Sequence, residues 1–217
     1  MNFFQISLTS RCNLECPHCP MADYRNTDCM PYVLTNKRLI PWLVKNCSPQ
    51  EWIIELTGGE PALYNGLDEL VSELSDKGYR GLIKTNGLLP TPKSPNFIRC
   101  SAFHQYDNFP KYWDIILIVD KIDSERKIAY CEEHNIPYQV IGFNKENPDG
   151  ARHGFKKIAY MDPHGHQIPC PSCNVQYTDQ PDKYTIEYKD LVPGMACHHC
   201  KAAIDAWRFM PEEWKLQ

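Results

Sequence analysis

Three cysteines, Cys12, Cys16 and Cys19, stand close together near the start of the chain, with gaps of three and two residues between them. Thiolates are soft donors that favour zinc and iron–sulfur clusters, and so short a loop can wrap one corner of a cluster without long-range help. Three donors leave a four-iron cluster with one iron that the protein does not ligate, and an open metal position is a place for chemistry. The bland alternative is a zinc knuckle completed by His18 or Cys29. A second group lies far along the chain, Cys170-Pro171-Ser172-Cys173 and Cys197-His198-His199-Cys200. Two such pairs can supply four thiolates to one tetrahedral centre, and the spacing alone suits zinc. His198 and His199 then sit beside the ligands rather than acting as ligands.

Two glycine motifs follow the first loop: Thr57-Gly58-Gly59-Glu60-Pro61, then Lys84-Thr85-Asn86-Gly87. Each alone reads as a tight turn, since glycine allows backbone angles that other residues avoid. Taken in order with the cysteine loop, they resemble the radical S-adenosylmethionine (radical SAM) superfamily, over roughly residues 3–143. The resemblance implies a [4Fe–4S] cluster on Cys12, Cys16 and Cys19, with S-adenosylmethionine chelating the fourth iron. Reductive cleavage of that cofactor gives a 5′-deoxyadenosyl radical, which takes a hydrogen atom from a peptide or small-molecule substrate. It also implies an electron donor such as flavodoxin or ferredoxin. By the same resemblance, backbone carbonyls near Gly58, Gly59 and Pro61, with the Glu60 carboxylate, reach the cofactor's amino group. Thr85 and Asn86 help to position its methionine part or ribose. His18 either rests against the adenine or is a solvated loop histidine. His104, Asp120 and Asn144 qualify only as residues at strand ends.

The stretch from Met161 to Cys170 resembles the entry to the C-terminal auxiliary-cluster modules of that superfamily, SPASM or its shorter twitch form. This implies a second [4Fe–4S] cluster on Cys170, Cys173, Cys197 and Cys200, with zinc as the alternative because the gaps are unusually symmetrical. Rival functions are a glycyl-radical activase, a short-barrel enzyme of the deazaguanine-forming type, or a non-catalytic zinc-binding interaction module.

Strand and helix patterns alternate along the first two thirds of the chain. Phe3–Thr9 reads as a strand that runs into the cysteine loop, and Pro31–Cys47 contains apolar residues at helical spacing. A strand over Trp52–Leu56 delivers the Gly58 turn, and an amphipathic helix over Leu67–Lys77 stops at Gly78. Leu82–Thr85 is a strand that delivers Asn86. Prolines between Leu88 and Pro95 exclude a regular helix there. Strands are expected over Phe97–Phe103 and Asp114–Val119, with too little chain between them for a full crossover helix. A helix from Ser124 to His134 and a strand over Ile136–Phe143 complete the series. Alternation of this kind predicts an α/β parallel sheet with the site at the strands' C-terminal ends. The resemblance refines this to a partial, abbreviated (β/α)6 barrel, which periodicity cannot separate from a flat doubly wound sheet. Residues 1–146 are expected to form this barrel and 147–217 a small cysteine-rich module, joined by a polar linker at 145–154.

The 217 residues are 42% hydrophobic, enough for one substantial core. A net charge of −4 and a pI near 6.1 give no basic field for nucleic acid. The N-terminus does not read as a signal peptide and the longest aliphatic run, Ile115–Val119, is too short to cross a bilayer, so a cytoplasmic protein without a membrane partner is expected. Eleven cysteines without an export signal favour metal ligation over disulfides. The isolated Cys29, Cys47, Cys100 and Cys131 read as small core hydrophobes.

Overall fold

A computed structural model of the chain describes residues 1–16, 19, 36–103, 107, 109–119, 123–141, 157–161, 167–168, 186–187 and 211–215. Six parallel strands lie side by side in sequence order: β1 (Asn2–Ser7), β2 (Trp52–Thr57), β3 (Arg80–Thr85), β4 (Phe97–Ala102), β5 (Ile115–Val119) and β6 (Tyr138–Ile141). β7 (Lys157–Met161) adds to the free side of β1, also parallel, and carries two short antiparallel pieces, β8 (Gln167–Ile168) and β9 (Ile186–Glu187). The sheet thus continues beyond residue 146 and takes in part of the stretch expected to form a separate module.

Three of the described helices fall on one face. α1 (Asn36–Asn46) and α2 (Leu67–Asp76) bury Leu39, Ile40, Leu43, Leu67, Leu70, Val71 and Leu74 against Phe4, Ile6, Ile54, Leu56 and Ile83. Each fully buried aliphatic side chain of this kind contributes about 1.5–3 kcal/mol. α3 (Ser124–Glu133) packs Cys131 against Ile116 and Ile118 of β5. The registers Ile54↔Gly81, Leu56↔Ile83, Thr85↔Ser101 and Ser101↔Ile116 put all of these strand residues on the same side of the sheet. A doubly wound sheet reverses its strand order at a switch point and covers both faces. Here the order runs from β1 to β6 without reversal, and the described helices α1, α2 and α3 share one face, as in a barrel.

The crossovers from β3 to β4 and from β4 to β5 have no α-helix among the described residues, and polar bonds hold them. Between β4 and β5, the Arg99 guanidinium donates to both Asp114 carboxylate oxygens, at 2.7 and 3.0 Å, and to the Trp113 carbonyl. Backbone amides of Lys111 and Tyr112 donate to the Gly87 carbonyl, which ties this loop to the one after β3. Burial pushes the Asp114 carboxyl up, but the hydrogen bonds and charge of Arg99 outweigh it and hold the group below its ordinary value. Cys47, Cys100 and Cys131 are buried thiols outside any disulfide, as small core hydrophobes should be, and burial pushes the Cys47 thiol up to about 12. Cys29 lies outside the described residues.

A short helix α4 (Glu212–Lys215) carries Trp214, which is 7% exposed and lies under the Arg80 guanidinium at the start of β3. No helix among the described residues is long and apolar enough to cross a membrane.

Candidate functional site

β1 ends at Ser7 rather than Thr9 because Leu8 makes the last bond to β2 and the residues after it bond to the turn that follows β2. The Leu8 amide donates to the Thr57 carbonyl at 2.8 Å, the Gly59 amide to Thr9 at 2.7 Å, and the Glu60 amide to Arg11 at 2.8 Å. The entry to the cysteine loop is therefore pinned, residue by residue, to the Gly58-Gly59-Glu60 turn. Gly58 has φ +135°, and a Cβ there would come within 2.5 Å of the Thr9 carbonyl oxygen. A Cβ on Gly59 would collide with the Arg11 carbonyl and would lie 2.8 Å from that of Ser10. These glycines make room for protein backbone, a purpose that the motif alone does not reveal.

Glu60 is fully buried. Its Oε1 accepts from the Thr85 hydroxyl at 2.7 Å and the Ala62 amide at 2.9 Å, and its Oε2 from the Asn86 amide at 2.8 Å. Burial pushes the carboxyl above its ordinary value, and these bonds draw it part of the way back. Three of a carboxylate's roughly four acceptor positions are thus taken within the protein, leaving room for one further donor. Pro61 is buried at the start of a 3-10 turn, Pro61–Leu63, that Glu60 caps.

Asn86 closes the circle. The Leu88 amide donates to its Oδ1 at 3.0 Å, which fixes the side-chain amide so that Nδ2 donates to Asn13 Oδ1 at 2.8 Å. Asn13 follows Cys12, so the third motif bonds directly to the cysteine loop. The Arg11 guanidinium also donates to the Leu63 carbonyl.

The loop carries Cys12, Cys16 and Cys19 as half-buried thiols outside any disulfide, and the Cys19 amide donates to the Cys16 carbonyl at 3.2 Å. Among the described residues no three His, Cys, Asp or Glu side chains close on a point that would hold a single ion. A cluster whose irons each take one thiolate asks instead for separate soft donors, and three such donors are what the loop presents. The residues present fit that group.

The structure therefore brings together Cys12, Cys16, Cys19, Gly58, Gly59, Glu60, Pro61, Thr85 and Asn86 at the C-terminal ends of β1, β2 and β3. His18, His104, Asp120, Asn144, Cys170, Cys173, Cys197 and Cys200 lie outside the described residues. Sequence reasoning missed Thr9, Arg11 and Asn13. The first acts through its backbone and the second largely so, which no residue type announces, and Asn13 looks like any polar loop residue.

No protein-family model matches the chain. It is 33% identical over 100 residues to the mitochondrial GTP 3′,8-cyclase of Arabidopsis thaliana, a stretch covering 45% of this chain and 26% of that protein. It is 35% identical over 92 residues to the 7-carboxy-7-deazaguanine synthase of Bacteroides thetaiotaomicron, covering 42% of this chain and 46% of that protein. The match therefore spans less than half the length of either curated relative. Among solved structures, Streptococcus suis SuiB bound to its precursor peptide SuiA superposes with a TM-score of 0.54 at 11% identity, covering 84% of this chain and 63% of that one. A hexahistidine-tagged anSMEcpe with bound AdoMet gives 0.53 at 13% identity, covering 100% of this chain and 86% of that one. The sequence relatives are radical SAM enzymes, and the structural neighbours share the fold.

Proposed function

We propose that the protein is a radical SAM enzyme that starts the modification of a small metabolite or a peptide by abstracting a hydrogen atom. One observation carries this reading: the three motifs that mark the superfamily are bonded to one another, Gly59 to Thr9, Glu60 to Arg11 and Asn86 to Asn13, around the three thiols. Relatives whose names specify GTP and a carboxylated deazaguanine favour a small molecule over a peptide.

Cys12, Cys16 and Cys19 would hold a [4Fe–4S] cluster, and Gly58, Gly59, Glu60, Pro61, Thr85 and Asn86, with His18 and His104, would hold S-adenosylmethionine. When bound, this pair supplies a 5′-deoxyadenosyl radical after one-electron reduction by a donor such as flavodoxin or ferredoxin. The protein's own part is positional. The zip of backbone bonds from Leu8 to Arg11 holds the thiol loop at a fixed height above β2. Glu60 ties the β2 turn to the β3 turn, so both move with the loop or not at all. Cys170, Cys173, Cys197 and Cys200 would ligate a second centre, a further [4Fe–4S] cluster or zinc, a reading that rests on donor type and spacing.

Anaerobic reconstitution with iron and sulfide, then reduction with S-adenosylmethionine present, is expected to yield 5′-deoxyadenosine. A protein with its first cluster filled that forms none would refute the enzyme reading. Iron and zinc counts on the C12A/C16A/C19A variant identify the second centre, and zinc without iron there would exclude a second cluster.

A further inference from the structure

The sheet's other face is not uniformly apolar. The registers Gln5↔Glu55 and Glu55↔Leu82 place Gln5 of β1 and Glu55 of β2 on the side opposite the helices, and alternation along β3 puts Lys84 there with Leu82. Their neighbours on this face include Phe3, Ile53, Leu82, Cys100 and Leu117, all buried. Glu55 is 2% exposed and accepts from the Gln5 side-chain amide at 2.5 Å, and the Lys84 charge acts on its carboxylate. Lys84 is only half-buried. Arg80 shares this face at the opposite end of β3, against Trp214, so Lys84 is the half-buried cation at the C-terminal end of the strand, two residues along β3 from the Leu82 that pairs with Glu55.

A carboxylate set among buried aliphatic side chains costs several kcal/mol unless it is paired. Hydrophobic residues would have built the same sheet without that cost. The arrangement makes sense when the carboxylate holds a lysine in place: in protein kinases a glutamate orients the lysine that contacts phosphate oxygens in this way. Position supports the same role. Lys84 immediately precedes Thr85 and Asn86, whose bonds to Glu60 and Asn13 tie β3 to the thiol loop, so its side chain leaves the sheet next to the proposed reaction centre.

We propose that Lys84, on the same face of the sheet as the buried Glu55, is the anchor for an anionic group of the substrate, a phosphate or a carboxylate. This rests on the reading of the site as a substrate-transforming centre. The ammonium's three N–H donors suit oxyanion recognition as a point charge.

The test uses reconstituted protein with S-adenosylmethionine bound and two probes, pyrophosphate for the phosphate arm and a free-carboxylate tripeptide for the carboxylate arm. Wild type is expected to bind one of them saturably, K84M to bind it at least tenfold more weakly, and K84R to retain most of the affinity. If K84M folds poorly because Glu55 is left alone, the E55Q/K84M double variant removes both charges and is expected to recover the thermal midpoint without recovering binding. Failure of wild type to bind either probe, or equal affinity in the double variant, overturns the proposal. Formation of 5′-deoxyadenosine by wild type tests the parent reading separately.

Discussion

Replacing Gly59 with alanine puts the bond between the β2 turn and the thiol loop under direct test. Gly59 does not have a positive φ, so the added methyl acts by bulk alone. It would meet the Arg11 carbonyl carbon at 2.7 Å and the Ser10 carbonyl oxygen at 2.8 Å, both backbone atoms that cannot swing aside. Relief requires the loop to lift from the turn, which breaks the Gly59-to-Thr9 and Glu60-to-Arg11 hydrogen bonds. Two such bonds are worth about 0.5–1.5 kcal/mol each. Overpacking of a tight site costs about 1–3 kcal/mol, and the two costs overlap because the lifting that breaks the bonds relieves the clash. We expect a net loss of about 2–4 kcal/mol, a drop of roughly 4–16 °C in Tm for a chain of this size. Iron bound after reconstitution should fall with it, because the loop that carries all three thiols is the part displaced. Gly78→Ala is the control: Gly78 has φ +82° but nothing within 4 Å of its Cβ, so it bears only backbone strain. If G59A keeps its Tm and its iron, the loop is not seated on the turn as described.

The bond between the two asparagines has a direction that can be read. Asn86→Asp keeps the acceptor for Leu88 but sets two oxygens against each other at Asn13, and should lower apo-protein stability by about 1 kcal/mol, whereas Asn13→Asp still accepts from Asn86 and should cost less; equal losses in urea titration would contradict the assignment. Burial raises the Glu55 pKa, partly offset by Lys84 and Gln5, so its contribution to stability is fully present below its ordinary value of 4.5 and declines as pH rises through the folded value. Glu55→Gln should therefore compare better with wild type at pH 7 than at pH 4.5, and a flat difference across paired thermal melts would count against a buried ionised group. Asp114 shifts the other way: Asp114→Asn should cost about 1–3 kcal/mol at neutral pH and progressively less as pH falls below 3.8, the ordinary value, with a pH-independent loss in the same melts as the contrary result.

The strands were largely legible because Val, Ile and Leu runs bounded by turn residues leave little choice, and each run from Trp52 to Val119 appears within two residues of its expected position. β3 starts at Arg80 rather than Leu82 because Gly81 weakens the strand pattern while fitting the sheet. The crossovers without a described α-helix were also readable, from the prolines after Leu88 and the short span before Trp113. What could not be read is what depends on contacts distant in sequence. Nothing in Lys157–Met161 says that it pairs with β1 rather than leading away to a separate module. Asn13 and Asn86 meet only because β1 and β3 flank β2. Glu55 did leave a trace, as a charge inside the otherwise apolar run Trp52–Leu56, and that is the kind of mismatch worth pursuing in a buried strand.

The winding of the sheet has a consequence for how the protein is made. Strands β1 to β6 join in the order in which they leave the ribosome, each new one finding its neighbour already in place. β1 is the exception, because its second neighbour, β7, is synthesised only after all six. Until then the strand that ends in the thiol loop has a bare edge, flanked by Phe3 and Phe4, open to pairing with other nascent chains. Delivery of iron before β7 arrives would meet a loop supported from one side only. The cluster proposed for Cys12, Cys16 and Cys19 would therefore be best loaded after release of the chain, and overexpression that outruns the arrival of β7 should send the protein into aggregates through the bare edge of β1.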